Sequence, residues 1–288
     1  MTRVGAIFSP YPNPPEAFHD AVQAAEAAGL PELWVWEDCF RESAFAATAA
    51  ALAWTERLRV GIGIAPMPLR NVAVTAMEVA TIERMFPGRL LPGVGHGVLP
   101  WMGQVGARVA SPLTLMREYV PALRGLLAGD EVTASGRYVS LDRVRLDWPP
   151  ARPPRVYAAA EGPKTLRLAG EVADGIVLDS RHTPAEYASM IAGVRAGRAE
   201  AGREGEPDIV AYVVAAFGAG SDERVRVELG ERGVDDDRAL WGSAAEVAAG
   251  VRRFADAGVD DVVLLPAGDE TDLAAFYTEA AEVARLVA

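Results

Sequence analysis

The residues of this chain best suited to chemistry gather in GRLLPGVGHGVLPWMGQVG, positions 88–106. Gly93, Gly95 and Gly97 recur at every second position at the end of an apolar run, with His96 between two of them and Trp101 in the loop beyond. In a strand, such spacing strips one face of side chains, so that a ligand or another stretch of chain can approach the backbone closely. Relief of crowding where a strand bends uses the same residues. His96 titrates near neutral pH and sits where its ring would enter the space at the strand end. A second cluster, Ala158 to Thr165 (AAAEGPKT), carries a strand into a helix. Gly162 and Pro163 at the first turn leave backbone N–H groups pointing outward, an arrangement that favours phosphate, and Lys164 adds charge; ordinary helix capping uses the same residues. In RLRVGIGIAP, Gly61 and Gly63 either present Ile64 on a bulged backbone or make a tight corner. Acids at two further strand ends, Glu37-Asp38 and Asp179, complete the set.

These residues need elements to position them, and the pattern supplies eight. Short apolar strands at Val4–Phe8, Leu33–Glu37, Arg57–Pro66 and the run through Gly93 alternate with helices at about 15–28, from Ser43 through Trp54, 72–85 and 113–127. A segment of short β pattern at about 131–148, with Ser135-Gly136 as a two-residue turn, reads as a hairpin insertion after the fourth unit. Strands at Arg155–Ala160, Gly175–Asp179, Ile209–Phe217 and Val262–Leu265 then alternate with helices at 163–173, 184–201, 244–257 and 271–287. Residues 219–240 are polar and uneven. Strand–helix alternation implies parallel strands with right-handed crossovers. Eight such units in 288 residues fit an α/β fold, a single closed (β/α)8 TIM barrel spanning 1–288, whose active site lies at the C-terminal ends of the strands.

Composition narrows the partners. Twenty-eight basic against 40 acidic side chains give a net charge of −12, which argues against nucleic acid and anionic membrane. The single cysteine, Cys39, excludes an internal disulfide and a cysteine-cluster metal site and suits a reducing cytoplasm. The apolar run at the start is too short for a signal peptide, and no stretch is apolar and long enough to span a bilayer. Standard motifs fail: Val98 and Pro66 stand where a dinucleotide fingerprint needs its last glycine, and there is no P-loop, HExxH or serine elbow. No metal site is expected. Of the other histidines, His19 falls on a polar helix face and His182 in a loop.

Over nearly its whole length the chain resembles the bacterial luciferase-like monooxygenase and oxidoreductase family, on the segments GRLLPGVGHGVLPWMGQVGARVASPLTLMREYVPALRGLL, AAAEGPKTLRLAGEVADGIVLDS and RLRVGIGIAP. The resemblance implies a flavin-type cofactor at the barrel mouth, coenzyme F420 in many members and FMN in others. It implies that Gly63, Ile64 and Ala65 form the cofactor's backing, with a non-prolyl cis peptide at Gly63–Ile64. Asp38 corresponds to a strand-end acid, Gly95, His96 and Gly97 line the ring's other approaches, and Glu161, Gly162, Pro163 and Lys164 match the phosphate turn. Cys39 and Val98 depart from the histidine and glutamate of the sugar-phosphate dehydrogenases, so that substrate does not transfer. The function implied is hydride transfer between F420 and a small organic substrate, with Asp38 and His96 as catalytic residues. The alternatives are an FMN-dependent monooxygenase served by a reductase, and a cofactor-binding carrier or sensor without turnover. Members often pair as homodimers.

Overall fold

A computed structural model describes residues 2–232, 238–268 and 270–288. The first half of the chain alternates β1 (Arg3–Ile7), α1 (Phe18–Ala28), β2 (Glu32–Val35), α2 (Ala44–Trp54), β3 (Arg59–Pro66), α3 (Val72–Met85) and β4 (Leu90–Gly95). A short α4 (Leu99–Gln104) and the longer α5 (Pro112–Ala128) follow, then the strands β5 (Val132–Ser135) and β6 (Ser140–Val144). Alternation resumes with β7 (Tyr157–Ala159), α6 (Pro163–Val172), β8 (Gly175–Leu178), α7 (Pro184–Glu200) and β9 (Asp208–Phe217). The chain ends with α8 (Ser221–Arg232), β10 (Ala239–Gly242), α9 (Ala244–Asp256), β11 (Asp261–Pro266) and α10 (Leu273–Val287).

Strands β1, β2, β3, β4, β7, β8, β9 and β11 pair in that order, all parallel, and β11 returns to β1. The ring is the closed eight-stranded (β/α)8 barrel expected from the alternation. Local chemistry sets the helix ends. Gly29 stops α1 in the left-handed region at φ 78°. Ser43, Asn71, Ser111, Thr183, Ser243 and Asp272 each accept a backbone N–H at the start of a helix, and such a cap is worth about 1 kcal/mol.

Along each barrel strand the side chains divide between two apolar layers. On β9, Ile209, Ala211 and Val213 face the helices, while Val210, Tyr212 and Val214 fill the barrel interior. The interior is crowded by aromatics, and glycines on neighbouring strands make room for them. Trp34 pairs across to Gly61, where a Cβ would lie 2.2 Å from the indole. Tyr157 pairs with Gly175, where a Cβ would lie 2.6 Å from the phenol ring.

One local expectation is corrected. The hairpin has no two-residue turn at Ser135-Gly136: Ser135 pairs with Ser140, and residues 136–139 form the loop. The loop is wider because it wraps the Glu118 carboxylate of α5, which accepts the N–H groups of Arg137, Tyr138 and Val139 at 2.8, 2.8 and 3.1 Å. The uneven stretch 219–240 forms α8 and β10, and residues 233–237 within it lie outside the described residues. β10 extends the edge of β9 beyond the end of β8: β8 pairs with Asp208–Ala211 and β10 with Val214–Phe217. The other polar helix faces hid α8, on which Val225 and Leu229 are the residues buried in the core.

Candidate active site

The C-terminal ends of the barrel strands open on a cavity of about 720 Å³. Its base is set by β3. Register with β4 runs Ile62 to Pro92 and then Ala65 to Val94, so β3 spends one residue more than its neighbour and bulges at Gly63-Ile64. The Gly63–Ile64 peptide is cis, as is Cys39–Phe40. The bulge settles what the glycines of β4 are for. A Cβ on Gly93 would lie 2.3 Å from the Ile62 carbonyl oxygen, and one on Gly95 would lie 2.9 Å from the Ile64 side chain. The bare face of β4 is therefore occupied by β3, and the surface offered to the cavity is Ile64 rather than naked glycine backbone.

Asp38 sits just beyond β2 and lines the cavity with Tyr11 from the end of β1. The Tyr11 hydroxyl donates to Asp38 Oδ2 at 2.6 Å, and the Arg41 guanidinium lies 3.9 Å from the Tyr11 ring centre. Burial pushes the Asp38 carboxyl above its ordinary range, against the pull of the Tyr11 hydrogen bond and the Arg41 charge. The same burial and the Asp38 partner push the Tyr11 phenol up to about 12. Glu37, one residue earlier, is engaged in holding the loop: both its oxygens accept from Arg70, and Oε2 also accepts the Ala44 N–H at 3.1 Å. Burial raises the Cys39 thiol, with Glu37 and Asp38 adding to the effect, so it stays protonated at neutral pH.

His96 reaches the cavity half-buried, and burial holds its imidazole below the usual range against the opposing charge of Glu161. Glu161 lines the cavity on the far side. Gly162, Pro163 and Lys164 are exposed, and α6 starts at Pro163 without a side-chain cap; Pro163 has no N–H and Thr165 N–H donates to the Gly162 carbonyl at 2.9 Å, so the Lys164 N–H is the first-turn donor left to an anion.

The structure thus brings Asp38, Gly63, Ile64, His96, Gly97 and Glu161 to one cavity. Gly95 lies beneath Ile64. Ala65 does not reach the cavity: it is buried in the β3–β4 ladder opposite Val94. His19 is exposed on α1, and His182 is half-buried against the Tyr187 ring. Sequence reasoning missed Trp36 and Tyr212. Both line the cavity, and the Trp36 Nε1–H is buried with no hydrogen-bond partner among the described residues. The alternation in ELWVWE carried a signal for Trp36, because it shares a strand face with Trp34. Tyr212 gave none beyond its being the one large aromatic in the strand before Phe217.

A family model described as luciferase-like monooxygenase matches residues 1–229. The 5,10-methylenetetrahydromethanopterin reductase of Methanolobus tindarius is 30% identical over 241 residues, 83% of this chain and 67% of that protein. The F420-dependent glucose-6-phosphate dehydrogenase of Nakamurella multipartita is 32% identical over 52% of this chain and 45% of that protein, so the chain spans less than half of that relative. Among solved structures, an F420-dependent secondary alcohol dehydrogenase in complex with an F420-acetone adduct superposes with a TM-score of 0.87 at 23% identity, covering 100% of this chain and 99% of that one.

Proposed function

The chain belongs to the luciferase-like monooxygenase family, and on that premise we propose that it is an oxidoreductase moving a hydride between coenzyme F420 and a small organic substrate, its eight units acting as one domain. The observation that carries the reading is the Gly63-Ile64 bulge, seated on the glycines of β4 and facing a cavity of about 720 Å³. The residues fit a flat ring with a phosphate-bearing tail. Ile64 gives an apolar face, Trp36 Nε1–H in the same wall is a buried donor with no partner among the described residues, and the uncapped start of α6 with Lys164 suits a phosphate. F420, when bound, supplies a two-electron hydride donor or acceptor that reacts poorly with dioxygen.

The chain's own residues bind, orient and handle protons. Asp38 and Tyr11 form the proton-holding pair, with the proton on the Tyr11 oxygen and Asp38 Oδ2 accepting it. His96, neutral by burial, offers one ring nitrogen as acceptor and the other as donor. Glu37 is saturated by Arg70 and takes no part in the chemistry. Trp36 and Trp101 wall the cavity against water.

The experiment is a titration of the purified protein with F420 and with FMN, each followed by fluorescence quenching. Binding of F420 in preference to FMN is expected; preference for FMN overturns the reading in favour of a monooxygenase that needs a reductase partner. Among the described residues no helix is long and apolar enough to cross a membrane, and the free thiol of Cys39 suits action in the reducing cytoplasm. The protein acts as a homodimer through α2 and α3. The α2 sequence AFAATAAALAW is apolar all round, and α3 exposes Val74, Met77 and Met85. Light scattering is expected to give a dimer for the wild type and a monomer for Met77→Glu; a monomeric wild type refutes the pairing.

A further inference from the structure

Two strands on opposite sides of the barrel meet at one atom pair. Going round the ring from β9 through β11, β1 and β2, or through β8, β7 and β4, β3 is the fourth strand either way. Across that diameter the Tyr212 hydroxyl donates to the Gly63 carbonyl at 3.1 Å, a bond between residues 149 apart in sequence. The contact is built for a hydroxyl. A Cβ on Gly63 would lie 1.6 Å from the Tyr212 oxygen, so the missing side chain is the space the hydroxyl occupies.

We infer that Tyr212 is a positioning residue, a strut that fixes the height of the Gly63-Ile64 bulge so that Ile64 meets the cofactor ring in one place. The inference rests on the reading of the site given above and assigns a residue that reading leaves unused. Filling the barrel does not explain the hydroxyl, because a phenylalanine would pack between Trp34 and Trp36 as Tyr212 does, with ring centres 6.1 Å from each. The Ile64 carbonyl of the bulge accepts from the Glu37 N–H, just beyond β2, at 3.4 Å, and that bond is long. Tyr212 adds the tie from across the barrel. Burial keeps its phenol protonated, so it remains a donor throughout the working pH range.

The test compares Tyr212→Phe with the wild type in F420 affinity, by fluorescence quenching, and in the visible absorption band of the bound cofactor. Loss of one buried hydrogen bond predicts affinity lower by roughly five- to tenfold, with a shifted band, and far-UV circular dichroism like the wild type. Gly63→Ala, whose added methyl collides with the hydroxyl, is expected to bind more weakly still. The double variant Gly63→Ala/Tyr212→Phe is expected to bind more tightly than Gly63→Ala alone, because the oxygen makes the closest contact, with recovery kept partial by the ring carbon at 2.9 Å and Trp34 at 3.1 Å. Equal affinity and an unmoved band in Tyr212→Phe, or a double variant no better than Gly63→Ala, overturns the strut. A Tyr212→Phe chain that fails to fold assigns the hydroxyl to stability and overturns the positioning role. If the wild type prefers FMN, the cofactor reading fails and the same variants test the strut with FMN. A wild type that binds neither removes both.

Discussion

Replacing Arg70 by methionine isolates the clamp that holds the end of β2 in place. Arg70 follows the 3-10 turn Met67–Leu69 after β3, and its guanidinium donates to both oxygens of Glu37, the Nη2 bond being 2.9 Å, while Nε lies 3.2 Å from Glu78. Glu37 is 9% exposed and Arg70 17% exposed, so the pair is largely out of water. Methionine keeps much of the aliphatic stem and removes the charge, leaving Glu37 with the Ala44 N–H alone and a second carboxylate, Glu78, beside it. Breaking a buried pair from one side costs about 3–5 kcal/mol, and the partial exposure of Glu78 places this case near the lower end, about 3 kcal/mol. At about 2 °C per kcal/mol for a chain this long, the melting midpoint should fall by about 6 °C. Urea unfolding followed by tryptophan fluorescence measures the loss as a lower midpoint at unchanged slope. The double variant Arg70→Met/Glu37→Gln should recover about 1–2 kcal/mol, since the stranded charge is gone. F420 affinity should fall in Arg70→Met, because Glu37 is chain neighbour to Asp38. A loss under about 1 kcal/mol, or a double variant that costs the sum of the singles, refutes the clamp.

Helices α6 and α7 cross backbone against backbone: a Cβ on Gly170 would lie 2.0 Å from the Val194 carbonyl oxygen, so Gly170→Ala should cost about 2–3 kcal/mol in urea unfolding. Gly230→Ala on α8, where nothing among the described residues lies within 4 Å of an added Cβ, should gain up to about 1 kcal/mol in the same assay. For Asp38 the folded carboxyl titrates above its unfolded value, so its contribution to stability is complete below about pH 4 and is lost as pH rises through the folded value. Asp38→Asn should flatten that part of the stability–pH curve and remove the acid limb of turnover; an unchanged pH–rate profile rejects Asp38 as a proton carrier.

The barrel was legible because each of its parts announces itself locally. Parallel strands buried on both faces read as continuous apolar runs, and serine, threonine, asparagine or glycine at helix ends fixes where they start and stop, as Thr183 and Gly29 do. Elements whose identity depends on a distant partner did not. The loop of the hairpin takes its length from Glu118, and β10 exists because β9 is long enough to outrun β8. The alternation of Gly93 and Gly95 left approach by a ligand or by another stretch of chain open, and the space they leave is taken by the bulge of β3. A glycine records that something must come close and carries no information on what comes.

That asymmetry follows from how a closed barrel builds a site. Topology forces the strand ends to one face, so Asp38, His96 and Glu161 converge whatever lies between them in sequence. Contacts across strands then give each its own surroundings. Tyr11 from β1's end makes Asp38 a hydrogen-bonded acceptor, Arg70 withdraws Glu37, and Tyr212 meets Gly63 from the opposite wall. Two adjacent acids, Glu37 and Asp38, look equivalent in sequence and part company only because one faces an arginine and the other a phenol. Exchanging those partners, not the acids, is therefore the change that should switch which carboxylate is clamped and which accepts the phenol's hydrogen bond.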